Sequence, residues 1–496
     1  MKKNTIFPLK IEELEIIIKA NFENKSASDL YFSTYEHQDK KIAVFGISYL
    51  LDTNKLENSL LNPLLSHSEA WTSQEILNRI PLGNGKTTDS FQDVFSNIVT
   101  GDIFIYIEEE LDFVTYPLSQ KEKRSLEKSE TESVVIGPQL TFTESLHTNL
   151  NVIRQILPTT DLVLEKIMVG SVIPREVRIV YMKSIANDTD VNTMRQRIQD
   201  LDIDELEDST ALKHYIEDSS TTVFPQFYVT ELPTRVAYTV KEGHVAVLVE
   251  NSPNSFIGPA NFFSFFESME DIFMRWTLAS TLRILRIFAL FIALLLTPAY
   301  VAVVTFHYEL IPTALIVSIG QSRAAVPFPP IIEAILIELM IELIREAGAR
   351  LPTKVGQTMG IVGGIVIGQA AVEAGITSNI LVIVVATSAL ASFTTPNYLM
   401  GTSFRIIRFP IILLAGLFGL IGIMFGVCFL IIHLLRVKSL GRPYLLPVYP
   451  LRLQDFNEVF FRTPPSLNSQ RATMYQPKDA ERYSKKEARK KRDIEE

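Results

Sequence analysis

Four long uncharged runs in the second half of the chain limit what it can fold into more than any other feature. Between Arg286 and Glu309 lie 22 residues without Asp, Glu, Lys or Arg; between Lys354 and Glu373 lie 18, between Glu373 and Arg405 lie 31, and between Arg408 and Arg436 lie 27. A helix crosses a bilayer in about 20 apolar residues, so these runs predict spans near 287–308, 355–372, 376–396 and 409–435. Buried helices of a large water-soluble enzyme rarely come four at a time in this form. An integral membrane protein is expected.

Charge divides the 496 residues into three parts. Residues 1–282 carry 25 basic and 42 acidic side chains, a net of −17; residues 283–435 net +2, and residues 436–496 net +6. The acidic first part is a poor surface for nucleic acid, which selects clustered positive charge. A lone cysteine, Cys428, forms no internal disulfide and founds no metal cluster. No HExxH, GxSxG or CxxC string occurs, and the string PLGNGKTT (81–88) lacks P-loop spacing, so it reads as a turn. No catalytic residue, metal site or cofactor is expected, and the protein is not expected to be an enzyme.

The amino terminus has no uninterrupted apolar segment of the secretory kind, which leaves the first part in the cytosol. Arg275, Arg283 and Arg286 precede the first run, and Arg436, Lys438 and Arg442 follow the last. The positive-inside rule puts both clusters on one side, so the number of crossings is even. With four crossings Arg405 and Arg408 fall outside, against that rule, unless they snorkel to a headgroup region.

Fold class follows from these parts: a two-lobed α/β cytoplasmic region, an all-α polytopic membrane domain of four spans plus an amphipathic or re-entrant segment, and a basic tail. The polar stretch SQKEKRSLEKSETES separates a first lobe, 1–130, from a second, 134–270; the helical transmembrane domain takes 271–436 and the cytoplasmic tail 437–496. That tail is expected to be largely disordered and to touch anionic lipid headgroups. Strand patterns occur at IAVFGISYLL, DIFIYIEEELDFVTYPL, VRIVYMKSI and the pair RVAYTV and EGHVAVLVE. Helical patterns occur at LTFTESLHTNLNVIRQIL, DVNTMRQRIQDL and TALKHYIED.

Two segments of the membrane part carry polar patterns. Pro327, Pro329 and Pro330 suit the first turn of a helix, which then runs from near Pro330 to about Gly348. Within it Glu338, Glu342 and Glu346 recur every four residues, with Glu333 a turn or so earlier and Arg345 three residues from Glu342. Such a face belongs to an interfacial helix, to a pair of half-membrane segments, or to a polar wall inside an assembly. In KVGQTMGIVGGIVIGQAAVEAG, Gly356, Gly360, Gly364 and Gly368 form a ladder on which another helix can approach closely. The opposite face holds Thr358, Val362, Ile365, Gln369 and Glu373. It suits a pore-lining helix with a dewetting ring at Val362 and Ile365, or a bundle helix whose aliphatic side faces lipid.

The runs VPFPPIIEAILIELMIELIREAGARLP, GQTMGIVGGIVIGQAAVEAGI and SFTTPNYLMGTSFRIIRF resemble the A subunits of GerA-type spore germinant receptors, a family to which stage V sporulation protein AF is related. IGPQLTFTESLHTNLNVIRQ, FPQFYVTELPTRVAYTVKEGHVAVLVENSP and RWTLASTLRILR are similar to the same family, so the resemblance covers residues 134–445 strongly and the first 130 loosely. It implies a multi-pass protein of the spore inner membrane, with both termini cytoplasmic. It also implies two partners: a transporter-like B subunit that senses the nutrient, and a lipoprotein C subunit. A homo-oligomeric, nutrient-gated channel for monovalent cations is the function implied; the alternative from another class is a non-conducting scaffold that clusters germination proteins. A secondary transporter is disfavoured because the membrane segments show no internal repeat.

Overall fold

The computed structural model describes residues 10–22, 29–38, 40–67, 70–119, 132, 136–351, 364, 366, 368–462, 464 and 469–483. Two α/β lobes come first. In the first, strands β1 (Leu30–His37), β2 (Lys40–Ile47), β3 (Lys86–Thr88), β4 (Asp102–Ile107) and β5 (Phe113–Pro117) form one sheet in the order β1-β2-β4-β5-β3. In the second, β6 (Leu162–Val169), β7 (Arg175–Met182), β8 (Tyr228–Thr230), β9 (Val245–Val249) and β10 (Ser255–Gly258) stand in the order β6-β7-β9-β10-β8. Every pairing within the two sheets is antiparallel.

The two orders are the same, and so is the sequence of elements. The first lobe runs α1 (Ile11–Phe22), β1, β2, a helical stretch α2 over 53–66, α3 (Ser73–Arg79), β3, α4 (Phe91–Ile98), β4 and β5. The second runs α5 (Leu146–Ile156), β6, β7, α6 (Asp188–Gln199), α7 (Ser209–Ile216), β8, α8 (Pro233–Lys241), β9 and β10. The lobes are therefore two copies of one topology.

Period-two alternation gives each sheet two apolar faces. Ile42, Val44, Ile103 and Ile105 bury against Leu60, Leu64 and Ile76 of α2 and α3, while Ala43, Phe45, Phe104 and Tyr106 meet α1 and α4. In the second sheet Val177, Ile179, Val245 and Val247 face α6 and α7. Its other face, with Leu164, Val180, Ala246 and Leu248, joins the same core cluster as the first sheet.

One expected strand is a helix. RVAYTV (235–240) lies within α8, which opens on Pro233 at its first turn. Val236, Ala237 and Val240 share the buried face, a spacing of one helical turn that reads as strand alternation when only six residues are compared.

The lobes are locked by a buried ion pair. Arg154 of α5 donates from Nη2 to Asp29 Oδ2 at 2.8 Å, and the hydroxyl of Tyr49 donates to the same oxygen at 2.9 Å. Asn151 Nδ2 donates to the Tyr49 carbonyl at 2.9 Å. Asp29 and Tyr49 belong to the first lobe and Arg154 and Asn151 to the second, so the network spans their junction.

The helical part contains α9 (Trp276–Phe306), α10 (Thr313–Arg323), α11 (Pro330–Arg350), a helical segment within 364–373, α12 (Asn379–Ser392) and α13 (Tyr398–Arg436). Among the described residues two helices, α9 and α13, are long and apolar enough to cross a membrane, and α12 is a shorter apolar helix. The segment near 355–372 lies mostly outside the described residues. The start of α11 at Pro330 agrees with the proline pattern. Helix α9 starts well before the expected span, because Arg283 and Arg286 are paired with Asp271, at 3.4 and 2.9 Å, and need not end the helix.

Helix α13 is not the single crossing expected for 409–435. At Gly419 the backbone takes φ 66° and ψ −143°, a region that favours glycine, and the chain reverses. A methyl group on Gly426 would meet Ile411 Cγ1 at 3.2 Å and Leu414 Cδ1 at 3.4 Å, whereas in a straight helix residues 411 and 426 would stand about 22 Å apart. The two arms, 398–418 and 420–436, are antiparallel. Their open ends lie on the second lobe, where Phe404 stacks edge-on against Phe224 at 5.6 Å and His433 Nε2 is 2.8 Å from Thr222 Oγ1. Their tip packs on Phe306 and His307 at the distal end of α9.

The tail also departs from expectation. Its described residues 437–462 and 469–483 pack on the second lobe: Arg442 pairs with Asp190 at 2.7 Å, the fully buried Tyr444 donates to the Pro225 carbonyl, and Tyr475 accepts from Asn261 Nδ2 at 2.6 Å. Buried tyrosines supply the apolar surface that the tail's charged composition conceals.

Two predictions follow from these junctions. Asp29→Ala strands a buried arginine and lowers stability by about 3–5 kcal/mol in chemical denaturation, whereas Asp29→Leu combined with Arg154→Met costs less than either single change. Buried His244 donates from Nδ1 to the Pro259 carbonyl at 2.9 Å and stacks on Tyr475, and burial lowers its pKa from 6.5 to about 4. The folded chain refuses a proton that the unfolded chain accepts below pH 6.5. Stability is therefore complete above pH 6.5 and falls by up to about 3 kcal/mol as the pH drops to about 4; His244→Gln flattens that slope in denaturation curves recorded across this window.

Candidate functional site

The glutamates of α11 do not share one environment. Glu338 is buried between α9 and the first arm of α13: it accepts from Thr297 Oγ1 at 2.8 Å and pairs with Arg408 Nη1 at 2.7 Å. One turn on, Glu342 accepts from Arg405 Nε at 3.1 Å and stands 3.7 Å from Arg345 Nη1. Arg345 also donates to Ser392 Oγ at 3.2 Å and covers the Phe393 ring, 4.5 Å from its centroid. Glu346, a further turn on, is exposed and bonds to Arg350 on its own helix.

This seam arises from two helical spacings. Glu338 and Glu342 are four residues apart and Arg405 and Arg408 three, so each pair projects from one helix face, and the antiparallel faces match charge to charge. The cost of placing an ion in an apolar layer makes such matching necessary. Arg405 and Arg408 are thus held in ion pairs with α11. They stand on the lobe side of the domain, since Ser403 two residues before bonds to the Val223 carbonyl.

Glu333 forms a second buried site. It is fully buried and accepts from the Ser378 backbone N–H at 2.6 Å and from Thr377 Oγ1 at 3.2 Å, with Arg323 Nη2 at 3.5 Å. Ser378 caps α12, so Glu333 ties the start of α11 to the start of α12. The Ser378 hydroxyl in turn stands 3.4 Å from the Tyr300 hydroxyl of α9.

Of the residues singled out on the glycine-ladder helix, Gly356, Gly360, Thr358, Val362 and Ile365 lie outside the described residues. Gly364 has no neighbour where its side chain would be, and Gly368 meets only Val382, at 3.9 Å. Gln369 donates to Glu373 at 2.9 Å, and both are exposed on the protomer surface. Among the described residues the space at Gly364 is therefore open, while Gly368 packs on α12. The seam's cations escape a reading of the sequence that treats Arg405 and Arg408 only as membrane flanks. Their i,i+3 spacing set against the i,i+4 glutamates was the available signal.

Among the described residues no cluster of metal-ligating side chains occurs. Two lobes of one topology, seated on a helical domain whose long apolar helices α9 and α13 pack around the buried ion pairs of α11, mark a membrane-associated protein with a folded α/β region. The family described as Bacillus/Clostridium GerA spore germination protein matches residues 17–474. The chain belongs to that family. It is 42% identical to spore germination protein GerQA of Bacillus cereus over 94% of this chain and 93% of that one, and 37% identical to spore germination protein KA of Bacillus subtilis over 91% and 84%. A solved structure, the N-terminal domain of the A subunit of the Bacillus megaterium spore germinant receptor GerK3, covers 53% of this chain and 99% of that one at 26% identity and a TM-score of 0.42.

Breaking the seam from one side is expected to be severe. Glu338→Ala or Arg408→Ala leaves a buried charge alone and lowers stability by about 3–5 kcal/mol. The exchange Glu338→Arg with Arg408→Glu recovers part of that loss. Thermal unfolding of the purified variants in detergent measures both.

Proposed function

We propose that this protein is the A subunit of a spore germinant receptor in the spore inner membrane, and that copies of it assemble into a nutrient-gated channel releasing monovalent cations as germination begins. The observation that carries conduction is the exposed Gln369–Glu373 pair. These polar side chains are exposed on their helix, and unlike Glu338 and Glu342 they pair with no arginine among the described residues; at membrane depth they require water or a partner chain. The space at Gly364, open among the described residues, supports assembly, because a small residue there lets a neighbouring copy approach closely.

The path of the helices supports an even number of crossings. Helix α9 leaves the lobe end, α11 returns to it, the segment around 364–373 leads outward, α12 returns, and the two arms of α13 go out and back. Six traversals keep both termini cytoplasmic. They also place Arg405 and Arg408 on the inner side, as the positive-inside rule asks. A transporter-like B subunit and a lipoprotein C subunit complete the receptor in this reading, with nutrient recognition on the B subunit. The pore is lined by Thr358, Val362, Ile365, Gln369 and Glu373, with Val362 and Ile365 as its constriction; the ladder Gly356, Gly360, Gly364 and Gly368 packs the ring.

Potassium flux through proteoliposomes tests the reading. The natural sequence is expected to leak slowly, Ile365→Ala to leak faster, and Glu373→Gln to reduce the cation flux of the Ile365→Ala protein. If all three assemble and none conducts, with or without the partner subunits, the protein is a scaffold rather than a channel.

A further inference from the structure

A cavity of about 210 Å³ lies where the second lobe, the first turns of α9 and the tail meet. Four arginines line it, Arg235, Arg283, Arg462 and Arg482, together with Glu242, Glu267 and Glu458. The carboxylates are already engaged. Arg482 Nη2 reaches Glu242 at 2.5 Å and Glu458 at 3.3 Å, Glu267 stands 3.4 Å from Arg283, and Arg235 bonds to Glu132 at 3.0 Å outside the lining.

The donors are not all engaged. Arg283 is 5% exposed, and its Nε is sealed from solvent without an acceptor among the described residues; Nε of Arg482 is in the same condition. Arg462 is held through its backbone, whose N–H donates to Ser280 Oγ at 3.0 Å. Its guanidinium makes no ion pair among the described residues, all nearby acids being taken by other arginines. Buried donors without acceptors are costly and rare in folded proteins. Acids and bases around the cavity balance when Glu132 is included, so the inference rests on unfilled donors rather than on net charge.

An acceptor with two or more oxygens, able to take charge-assisted bonds from several guanidinium groups, satisfies this geometry. We propose that the cavity is a binding site for an oxyanion, a phosphate or carboxylate group held by Arg283, Arg462 and Arg482. Bound there, it links two elements, α9 through Arg283 and the tail through Arg462 and Arg482, beside the second lobe. The exposed Phe273 and Trp276 lie just before and at the start of α9, where an aromatic belt would meet lipid headgroups. The oxyanion thus has two sources, a lipid phosphate or a free anion in the cytosol.

The test uses the full chain purified in dodecyl maltoside, with thermal unfolding followed as ligand is added. Arg462→Gln removes the unpaired guanidinium and keeps the backbone bond to Ser280, and Arg462→Lys keeps the charge without the fork. A free anion is the ligand if inorganic phosphate raises the melting temperature of the natural sequence and Arg462→Gln weakens that effect roughly tenfold, with Arg462→Lys in between. A lipid phosphate is the ligand if phosphate is silent and phosphatidylglycerol, but not phosphatidylcholine, gives the same shift with the same dependence on Arg462. No shift with either probe overturns the proposal, and so does a shift that Arg462→Gln leaves unchanged. Neither arm depends on conduction, so failure of the channel reading leaves this result intact.

Discussion

Charge inside an apolar layer has to be matched side chain by side chain, and the helical domain is arranged around that demand. Glu338 with Arg408, and Glu342 with Arg405, fix the register of α11 against the first arm of α13. Thr297 brings α9 into the same contact. Removing one partner from a buried pair costs far more than the pair contributes as a whole, so the seam acts mainly to exclude other packings. Close approach does the rest: the Ile331 side chain of α11 fills the space where a side chain on Gly416 would stand, so the arm packs directly on α11 there.

Much of the helical domain was legible as composition and little of it as path. The proline cluster ending at Pro330 marked the start of α11 because proline suits a first turn and breaks an interior. The glutamate face was equally plain. Its partners were not, because the match between Glu338 and Arg408 is made across 70 positions of chain and depends on a reversal that local pattern hides. That reversal sits in a 27-residue uncharged run, where glycine is common whether the helix continues or turns. Only the backbone at Gly419 distinguishes the two. In the lobes the helix at 235–240 was misread for a related reason: six residues are too few to separate a period of two from one of 3.6. The gate residues Val362 and Ile365 lie outside the described residues, so the chain's sharpest sequence pattern stands as a proposal.

The duplicated lobe was invisible to sequence reasoning because the two copies keep strand order and lose side-chain identity. What they share is a sheet with two apolar faces, both covered by helices of its own lobe. One face of each sheet, with the helices over it, belongs to a common core cluster that also takes in Leu290 and Leu294 of α9 and Phe404 and Leu434 of α13. Lobes and membrane helices therefore share a hydrophobic core, and the Asp29–Arg154 pair sets the orientation within it.

The hairpin of α13 has a mechanical consequence. Both of its arms are rooted on the second lobe, and at about 1.5 Å per residue the longer arm reaches about 30 Å. Both roots move together when the lobe tilts. A tilt of about 5° carries the Gly419 tip by about 2.6 Å on that lever arm, and the tip rests on Phe306 and His307 at the distal end of α9. A small rotation at the lobe end is thereby converted into displacement at the far end of the helical domain, with no change in either arm's internal hydrogen bonds.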